Sequence, residues 1–202
     1  MRVHGLENAP PQGSFILAVN HASFYDPAAL VCRFPRPVHF FARKSLFRGL
    51  FGKMIASLNA IPVDRDGDGD VSAIKRVLGL LRKGEALLLF PEGTRTYDGS
   101  LQQPQRGIGM LACRAGVPVL PARIFGSYEG LGRHRKWPKF GQRISIVYGE
   151  LILPMKIDPG GDHDLRYETS ANRIMKAIER IRLPGSDAAC NQAEDAQRKR
   201  GL

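Results

Sequence analysis

Residues 14–30 read SFILAVNHASFYDPAAL, and this stretch decides the fold. It opens with an apolar run that predicts a strand over Ser14–Asn20, buried on both faces. Asp26 and Pro27 then precede a second apolar segment, and Asp followed by Pro is a common start of a helix. We therefore expect His21 where a buried strand ends and Asp26 where a helix begins.

The loop between this strand and this helix is short enough to fold His21 back against Asp26. A carboxylate bonded to one imidazole nitrogen fixes the tautomer and leaves the other nitrogen available as a base. The alternative is a loop histidine beside an ordinary helix cap. This stretch alone leaves both interpretations open.

A second stretch, FPEGTRT at residues 90–96, also follows an apolar run. With both stretches in view, the chain resembles the lysophospholipid acyltransferase family, which includes glycerol-3-phosphate and 1-acylglycerol-3-phosphate acyltransferases. His21 and Asp26 match the family pattern His-x-x-x-x-Asp. Pro91 to Arg95 match Pro-Glu-Gly-Thr-Arg, with Thr96 in place of the usual Ser.

Two further blocks complete the resemblance. Ala60 to Arg65 is similar to a family block that ends in a hydrophobic residue, any residue and Arg. Val117 to Pro121 is similar to an apolar block that contains Pro. All four blocks stand in the family's order between Phe15 and Ala122, so together they are a far more specific signal than any one of them.

The resemblance implies an enzyme that moves a fatty acyl group from acyl-CoA or acyl carrier protein to the hydroxyl of a lysophospholipid. The favoured acceptor is 1-acylglycerol 3-phosphate, which would give phosphatidic acid; glycerol 3-phosphate or another lysolipid is the alternative. It implies no cofactor beyond the acyl donor and no metal. The implied catalytic residues are His21 and Asp26, and the implied substrate-binding residues are Arg65, Glu92, Gly93, Thr94 and Arg95.

These residue types suit the chemistry. An attacking hydroxyl must lose its proton, and His21 is the base that can take it. Arg65 and Arg95 offer forked cations for a phosphate on the acceptor, and Gly93 permits a close approach of backbone to ligand. The role of Glu92 stays open between an acceptor contact and a pair with an arginine that holds the loop.

Composition restricts the partners and the compartment. The 202 residues carry 30 Lys plus Arg against 19 Asp plus Glu, a net charge of +11, which points to anionic partners. The wide spacing of the three cysteines fits a protein of a reducing cytosol. No apolar run in the sequence is long enough to span a bilayer. We expect a cytoplasmic enzyme that associates peripherally with the inner face of the membrane, where it binds the anionic membrane surface.

Two segments are candidates for that association. Ser45–Leu58 has apolar residues at three- and four-residue spacing, flanked by Lys44, Arg48 and Lys53. It either packs on the core or meets lipid, and both can hold at opposite edges of the apolar stripe. Arg133–Lys139 is a basic loop with one Trp, and it is either a solvated turn or a contact for phosphates or a membrane.

Alternation of strands with helices predicts an α/β fold, with a mixed, largely parallel central sheet and helices on both faces. We expect one acyltransferase domain over residues 1–183, a loose leader over 1–13 and a disordered tail over 184–202. Further strands are predicted over Val38–Ala42, Ala60–Val63, Glu85–Phe90, Val117–Ile124 and Gln142–Gly149, the last covered on one face. Helices are predicted over Ala28–Phe34, Ser45–Leu58, Val71–Arg82, Arg106–Ala115 and Asp164–Arg182.

Other functions fit less well. Asp66–Asp70 alternates Asp and Gly, but an EF-hand loop counted from Asp64 has Lys75 where its Glu belongs. Gly107–Ala112 fits a dinucleotide pattern but follows a polar loop rather than a strand, so close helix packing at Gly107 and Gly109 is expected. No serine-hydrolase elbow or phosphate-binding loop is present. The alternative of another class is a non-catalytic basic module that binds membrane or nucleic acid. That alternative leaves the His-Asp pair unexplained. We expect no nucleic-acid partner.

Overall fold

The computed structural model describes residues 1–63, 71–139 and 141–185 of the chain. Seven strands in these ranges form one sheet. Their bounds are β1 Arg2–His4, β2 Phe15–Val19, β3 Val38–Arg43, β4 Ala60–Val63, β5 Ala86–Leu89, β6 Val119–Phe125 and β7 Ser145–Tyr148. The helices are α1 Asp26–Val31, α2 Gly49–Ser57, α3 Val71–Arg82, α4 Arg106–Ala115, α5 Ser127–Leu131, α6 Pro154–Ile157 and α7 His163–Arg180.

The sheet is mixed and mostly parallel. Its strand order is β1-β7-β6-β2-β5-β3-β4, and the pair β6–β7 is antiparallel while the other five pairs are parallel. β1 and β7 therefore run opposite to the remaining strands. The predicted fold class is confirmed.

Apolar residues cover both faces of the sheet. One cluster packs α3, α4 and α7 against alternate residues of the central strands, such as Ile16 and Leu87. The other packs α1 and α2 against the residues between them, such as Leu17 and Leu88. Every residue of β2 and β5 is buried, as expected for central parallel strands whose sequence is a continuous apolar run.

The expectation of a loose leader over residues 1–13 is wrong. β1 lies within it and pairs in parallel with β7, with Arg2 opposite Ser145 and Val3 opposite Ile146. All four residues of β7 are buried, so the prediction that this strand is covered on one face only is also wrong. The three-residue strand β1 is too short to show a local pattern, and its partner lies far away in the sequence.

The predicted helix Ser45–Leu58 is divided into two parts. Lys44–Leu46 forms a 3-10 turn, and α2 begins only at Gly49, which has a φ of 63°. Ile55 is buried, whereas Leu50 is 85% exposed and Met54 is 51% exposed. The apolar stripe thus packs on the core at one edge and faces outward at the other.

Helices α4 and α7 pack closely at Gly109. A Cβ atom on Gly109 would approach the carbonyl oxygen of Tyr167 to 1.9 Å, whereas a Cβ atom on Gly107 would meet nothing within 4 Å. Close packing is therefore confirmed at Gly109 and wrong at Gly107.

Some predictions fall on residues that are not described. The turn Asp66–Asp70 and residues 186–202 of the expected tail lie outside the described ranges, and the single domain over 1–183 stays a prediction. Within those ranges, no helix combines the length and the hydropathy needed to cross a bilayer.

Candidate active site

The sheet brings the two motifs together at the carboxyl ends of adjacent strands. His21 follows β2 by two residues and Glu92 follows β5 by three, and these strands pair in parallel with Ala18 opposite Leu89. Carboxyl ends of parallel strands meet at one edge of a sheet, where the sites of such folds lie. Residues 71 apart in sequence are thus held side by side.

His21 and Asp26 form a hydrogen-bonded pair. The His21 Nδ1 atom lies 2.9 Å from Oδ2 of Asp26, a residue with no solvent exposure. The same oxygen accepts hydrogen bonds from the backbone N–H groups of Ala22 and Ser23, at 2.7 and 2.6 Å. An oxygen with these donors is an acceptor, so Nδ1 carries the proton and Nε2 has the free lone pair of a base.

Asp26 does not cap its helix in the expected way. Tyr25 occupies the N-cap position and Asp26 is the first residue of α1, with Pro27 following it. The Asp26 carboxylate points back to the preceding loop and bonds to His21, Ala22 and Ser23. The Oδ2 atom of Asp26 thus shapes the loop, and α1 begins at Asp26 as predicted, although Tyr25 rather than Asp26 is its N-cap residue.

Glu92 holds the backbone of His21. Its Oε1 accepts a hydrogen bond from the His21 N–H at 2.7 Å, and its Oε2 accepts one from the Gln102 N–H at 3.1 Å. On the other side of His21, its carbonyl oxygen accepts a bond from the Thr96 N–H at 2.8 Å. The peptide groups on both sides of the His21 side chain are therefore tied to the second motif.

The environment of Glu92 speaks against one sequence-based interpretation, the pair with an arginine, while the contact with the acceptor stays a prediction. The residue is 2% exposed and bonds to backbone groups rather than to an arginine. Burial raises the pKa of the Glu92 carboxyl, while the hydrogen bonds from His21 and Gln102 oppose that shift and the Asp26 charge adds to it. The geometry gives Glu92 a positioning role.

Asn20 and Ser23 fix the rest of the loop. The Asn20 side-chain amide donates to the Ile124 carbonyl at 3.2 Å and accepts from the Ile124 N–H at 2.8 Å, which extends the β2–β6 pairing by one residue. The Ser23 hydroxyl donates to the Leu131 carbonyl at 2.9 Å. The Phe90 ring stacks on the His21 ring, with centroids 4.0 Å apart. No local sequence pattern indicates these contacts, because they join segments that are far apart in the sequence.

A cavity of about 830 Å³ opens beside His21. Polar and cationic residues border it, namely His21, Arg43, Thr94, Arg95 and Arg133. Apolar residues of β3, α2 and the adjoining turns form much of the remaining wall, among them Phe40, Leu46, Met54, Ile55 and Leu58. One cavity thus joins a base, several cations and an apolar surface.

The structure separates the predicted substrate-binding residues into three groups. Thr94 and Arg95 line the cavity. Glu92 and Gly93 are absent from the cavity wall, and Gly93 has a φ of 69° in a turn closed by its N–H on the Phe90 carbonyl. Arg65 lies outside the described residues.

Two arginines outside the predicted substrate-binding residues also border the cavity, and one of them, Arg133, belongs to the basic loop for which contact with phosphates was one alternative. Arg43 ends β3, so it satisfies the same strand-end rule that selected His21 and Glu92. Arg133 begins the basic loop and donates from Nη2 to the Thr94 hydroxyl at 2.6 Å. Burial lowers the pKa of the Arg95 guanidinium, and the nearby charge of Arg133 lowers it further.

Comparison with known proteins identifies the family. A sequence model of the family described as Acyltransferase matches residues 1–125, which include the His-Asp pair and the whole Pro-Glu-Gly-Thr-Arg block. The chain belongs to this acyltransferase family. The resemblance inferred from the four blocks is therefore confirmed.

Individual relatives agree with this acyltransferase assignment. The chain is 33% identical to the 1-acyl-sn-glycerol-3-phosphate acyltransferase of Bacillus subtilis, over 74% of this chain and 72% of that protein. It is 35% identical to the enzyme of the same name from Pseudomonas aeruginosa, over 73% of this chain and 57% of that protein. The crystal structure of the 1-acyl-sn-glycerophosphate acyltransferase PlsC from Thermotoga maritima matches with a TM-score of 0.70 and 27% identity, over 90% of this chain and 73% of that one.

Proposed function

We propose that this acyltransferase transfers a fatty acyl group from a thioester donor to the free hydroxyl of 1-acylglycerol 3-phosphate, forming phosphatidic acid. The observation that carries the proposal is the shared cavity, where the His21–Asp26 pair, Arg95 and an apolar wall meet. A lysophospholipid with a phosphate group has the matching parts: a hydroxyl, an anion and a hydrocarbon chain. The names of the relatives favour the same acceptor.

The reaction needs one base and no covalent enzyme intermediate. His21 Nε2 takes the proton of the acceptor hydroxyl as the oxygen attacks the thioester carbonyl carbon. The tetrahedral intermediate then collapses, the carbon–sulfur bond breaks, and the imidazolium returns the proton to the departing sulfur. The products are an ester and a free thiol. Asp26 stabilises the imidazolium and holds its orientation through Nδ1.

The cations around the cavity suit the acceptor phosphate. Arg95 borders the cavity next to Thr94, and a guanidinium can bind two phosphate oxygens at once. Arg65 has the same proposed role, on the basis of the motif. The donor is proposed to be acyl-CoA or acyl carrier protein, with no other cofactor.

The apolar wall suits the hydrocarbon chain of a substrate. The cavity volume of about 830 Å³ lies in the upper part of the range of roughly 300–1,000 Å³ that is usual for ligand sites. Met54 lines this cavity and is also half exposed on the outer surface of α2. Met54 therefore offers a lipid an apolar contact at the entrance of the cavity.

The same surface is proposed to dock on an anionic bilayer at the inner face of the membrane. Leu50 and Met54 are exposed on α2, and exposed Lys44, Arg48 and Lys53 surround them. Trp137, which is 83% exposed in the basic loop, is a second apolar anchor. Exposed apolar side chains among cations are the combination that binds anionic lipid surfaces.

The decisive experiment is a thiol-release assay on the purified protein with a thioester donor. The acceptors are 1-acylglycerol 3-phosphate, glycerol 3-phosphate and an uncharged monoacylglycerol, and lipid extraction identifies the product. We expect phosphatidic acid with the first acceptor and the highest kcat/KM for it. Thiol release that does not depend on any acceptor would contradict the proposal, as would a folded protein without activity, which is the outcome expected of a non-catalytic binding module.

A further inference from the structure

The loop that follows α5 fixes an exposed guanidinium at the cavity rim. Arg133 Nη2 donates to the Thr94 hydroxyl at 2.6 Å, and Arg133 Cζ lies 4.3 Å from the centroid of the Tyr97 ring. The Tyr97 carbonyl in turn accepts a hydrogen bond from the Tyr128 hydroxyl at 2.8 Å. A long surface side chain normally samples many rotamers, but these contacts hold Arg133 in one place.

These contacts leave the positive charge of Arg133 in place. The Thr94 hydroxyl and the Tyr97 ring are neutral groups, so they orient the guanidinium without cancelling its charge. Arg95 makes a longer contact with a neutral ring, with its Cζ 5.8 Å from the centroid of the Phe24 ring. Both arginines line the cavity that contains His21.

Two cations that border one cavity repel each other unless an anion lies between them. The charge of Arg133 lowers the pKa of Arg95 in addition to the larger effect of burial, while the charge of Asp26 opposes both. A ligand with a charge close to −2 would relieve this repulsion. A phosphate monoester carries about −1.5 to −2 near neutral pH and has three terminal oxygens that accept hydrogen bonds.

We propose that Arg133 is an acceptor-binding residue that forms, with Arg95, a two-guanidinium site for the phosphate monoester of the acceptor. This inference rests on the proposed function and specifies its acceptor class. Two forked guanidinium donors match the three terminal oxygens of a phosphate monoester. The phosphodiester of other lysophospholipids has only two terminal oxygens and carries a single negative charge. Arg133 thus makes the enzyme selective for monoester acceptors. It lies beyond residues 1–125, so the match to the family model assigns it no role.

The loop offers a matched control for the test. Arg135 is exposed in the same loop and does not border the cavity, so Arg133→Ala and Arg135→Ala change the net charge equally. Transfer is measured in neutral detergent micelles, which remove any contribution of membrane docking. The acceptors are 1-acylglycerol 3-phosphate, a lysophosphatidylglycerol as the diester, and monoacylglycerol, with donor and acceptor concentrations varied separately.

We expect Arg133→Ala to lower kcat/KM for the monoester by about 10- to 100-fold, chiefly through the acceptor KM, as for loss of a hydrogen bond to a charged group. We expect a much smaller effect with monoacylglycerol, a partial loss in Arg133→Lys, and a change of less than about twofold in Arg135→Ala. Equal effects of Arg133→Ala and Arg135→Ala would overturn the assignment. A change in the donor KM instead would also overturn it, because the anion would then be a phosphate of the donor.

A binding measurement separates this inference from the proposed function. Glycerol 3-phosphate, the probe, is expected to raise the Tm of the wild type and of Arg135→Ala, and to raise that of Arg133→Ala much less. If the wild type transfers no acyl group to any acceptor, the proposed function fails, and this measurement still decides whether Arg133 binds a phosphate monoester. An equal rise in Tm for all three proteins would refute the site.

Discussion

The Glu92 carboxylate and the His21 backbone amide are joined by a hydrogen bond of 2.7 Å between Oε1 and N, although 71 residues separate them in the sequence. Since the second carboxylate oxygen accepts a hydrogen bond from the Gln102 N–H, Glu92 connects the loop that contains His21 and Asp26 to the loop of the second motif. The position of the His21 ring in the cavity thus depends on a buried residue that does not line it.

Glu92→Gln is expected to lower kcat by about 10- to 100-fold while leaving the acceptor KM nearly unchanged. The amide NH2 of Gln faces a backbone donor in place of an acceptor oxygen, and a displaced base loses rate steeply. Steady-state kinetics with Glu129→Gln, an exposed acid on α5, is the control. A rise in acceptor KM at constant kcat would show instead that Glu92 contacts the acceptor.

His21→Ala is expected to lower kcat by about 100- to 10,000-fold, because it removes the general base. The protein should stay folded, because the Asp26 carboxylate keeps its hydrogen bonds from the Ala22 and Ser23 N–H groups. Asp26→Asn is expected to be severe but less complete, since a neutral amide stabilises the imidazolium poorly. Thiol release at saturating substrates measures both effects, and circular dichroism melting checks the fold. Activity close to wild type in folded His21→Ala would rule out this mechanism.

Leu50→Ser is expected to weaken binding to anionic vesicles and to leave the melting transition unchanged, because Leu50 is 85% exposed. Ile55→Ser on the same helix is the contrasting variant. Ile55 is buried, so this change should lower the Tm. Co-sedimentation with anionic and neutral vesicles at increasing salt measures binding, and screening with a Debye length of about 8 Å at physiological salt should release the protein. Equal, salt-insensitive binding to both kinds of vesicle would contradict electrostatic docking.

Gly109→Ala and Gly107→Ala are expected to change stability in opposite directions. The new methyl group at residue 109 would collide with the Tyr167 carbonyl, and such overpacking costs about 1–3 kcal/mol. At the exposed residue 107 nothing lies within 4 Å, and Ala in a helix is favoured over Gly by roughly 0.5–1 kcal/mol. Urea unfolding of the two variants measures the difference. If both variants lost stability, the collision with the Tyr167 carbonyl would not be the reason why α4 disfavours Ala.

Acid stability is expected to depend on the pair formed by Asp158, which follows α6, and Arg166 of α7. Hydrogen bonds of 2.7 and 2.5 Å from Arg166 lower the pKa of the Asp158 carboxyl to about 2 from its ordinary value of 3.8. A lowered pKa in the folded state means that the unfolded state binds more protons between these values. The contribution of the pair is therefore complete above about pH 4 and disappears as the pH falls towards about 2.

Arg166→Gln should remove this part of the pH dependence of stability. Urea titrations over about four pH units, from about pH 6 to about pH 2, measure the free energy of unfolding of both proteins. Arg173→Gln is the control, because Arg173 of α7 donates to the carbonyl oxygens of Lys156 and Ile157, which do not titrate. The same acid profile in wild type and Arg166→Gln would disprove the linkage.

Several features could be predicted from the sequence because they depend on neighbouring residues. The continuous apolar runs at β2 and β5 indicated central buried strands, and α4 ends where Gly116 follows it. The same local patterns placed His21 and Glu92 after strands. We could expect these side chains to meet only because the carboxyl ends of parallel strands lie at one edge of a sheet; no sequence pattern links the two residues directly.

Other features depended on residues that are distant in the sequence. β1 forms because β7 offers unpaired backbone groups, and the division of Ser45–Leu58 follows from which side chains the core accepts. The role of Glu92 and the position of Arg133 beside Thr94 depend on loops that the sheet brings together. The sequence by itself determined six of the seven described strands, five of the helices, the family motifs and the closeness of His21 to Asp26, since period, caps and short loops act within a few residues. Only the tertiary structure decided which buried carboxylate positions the base and which exposed cation borders the cavity, because hydrogen bonds and charges act between atoms that are close in space.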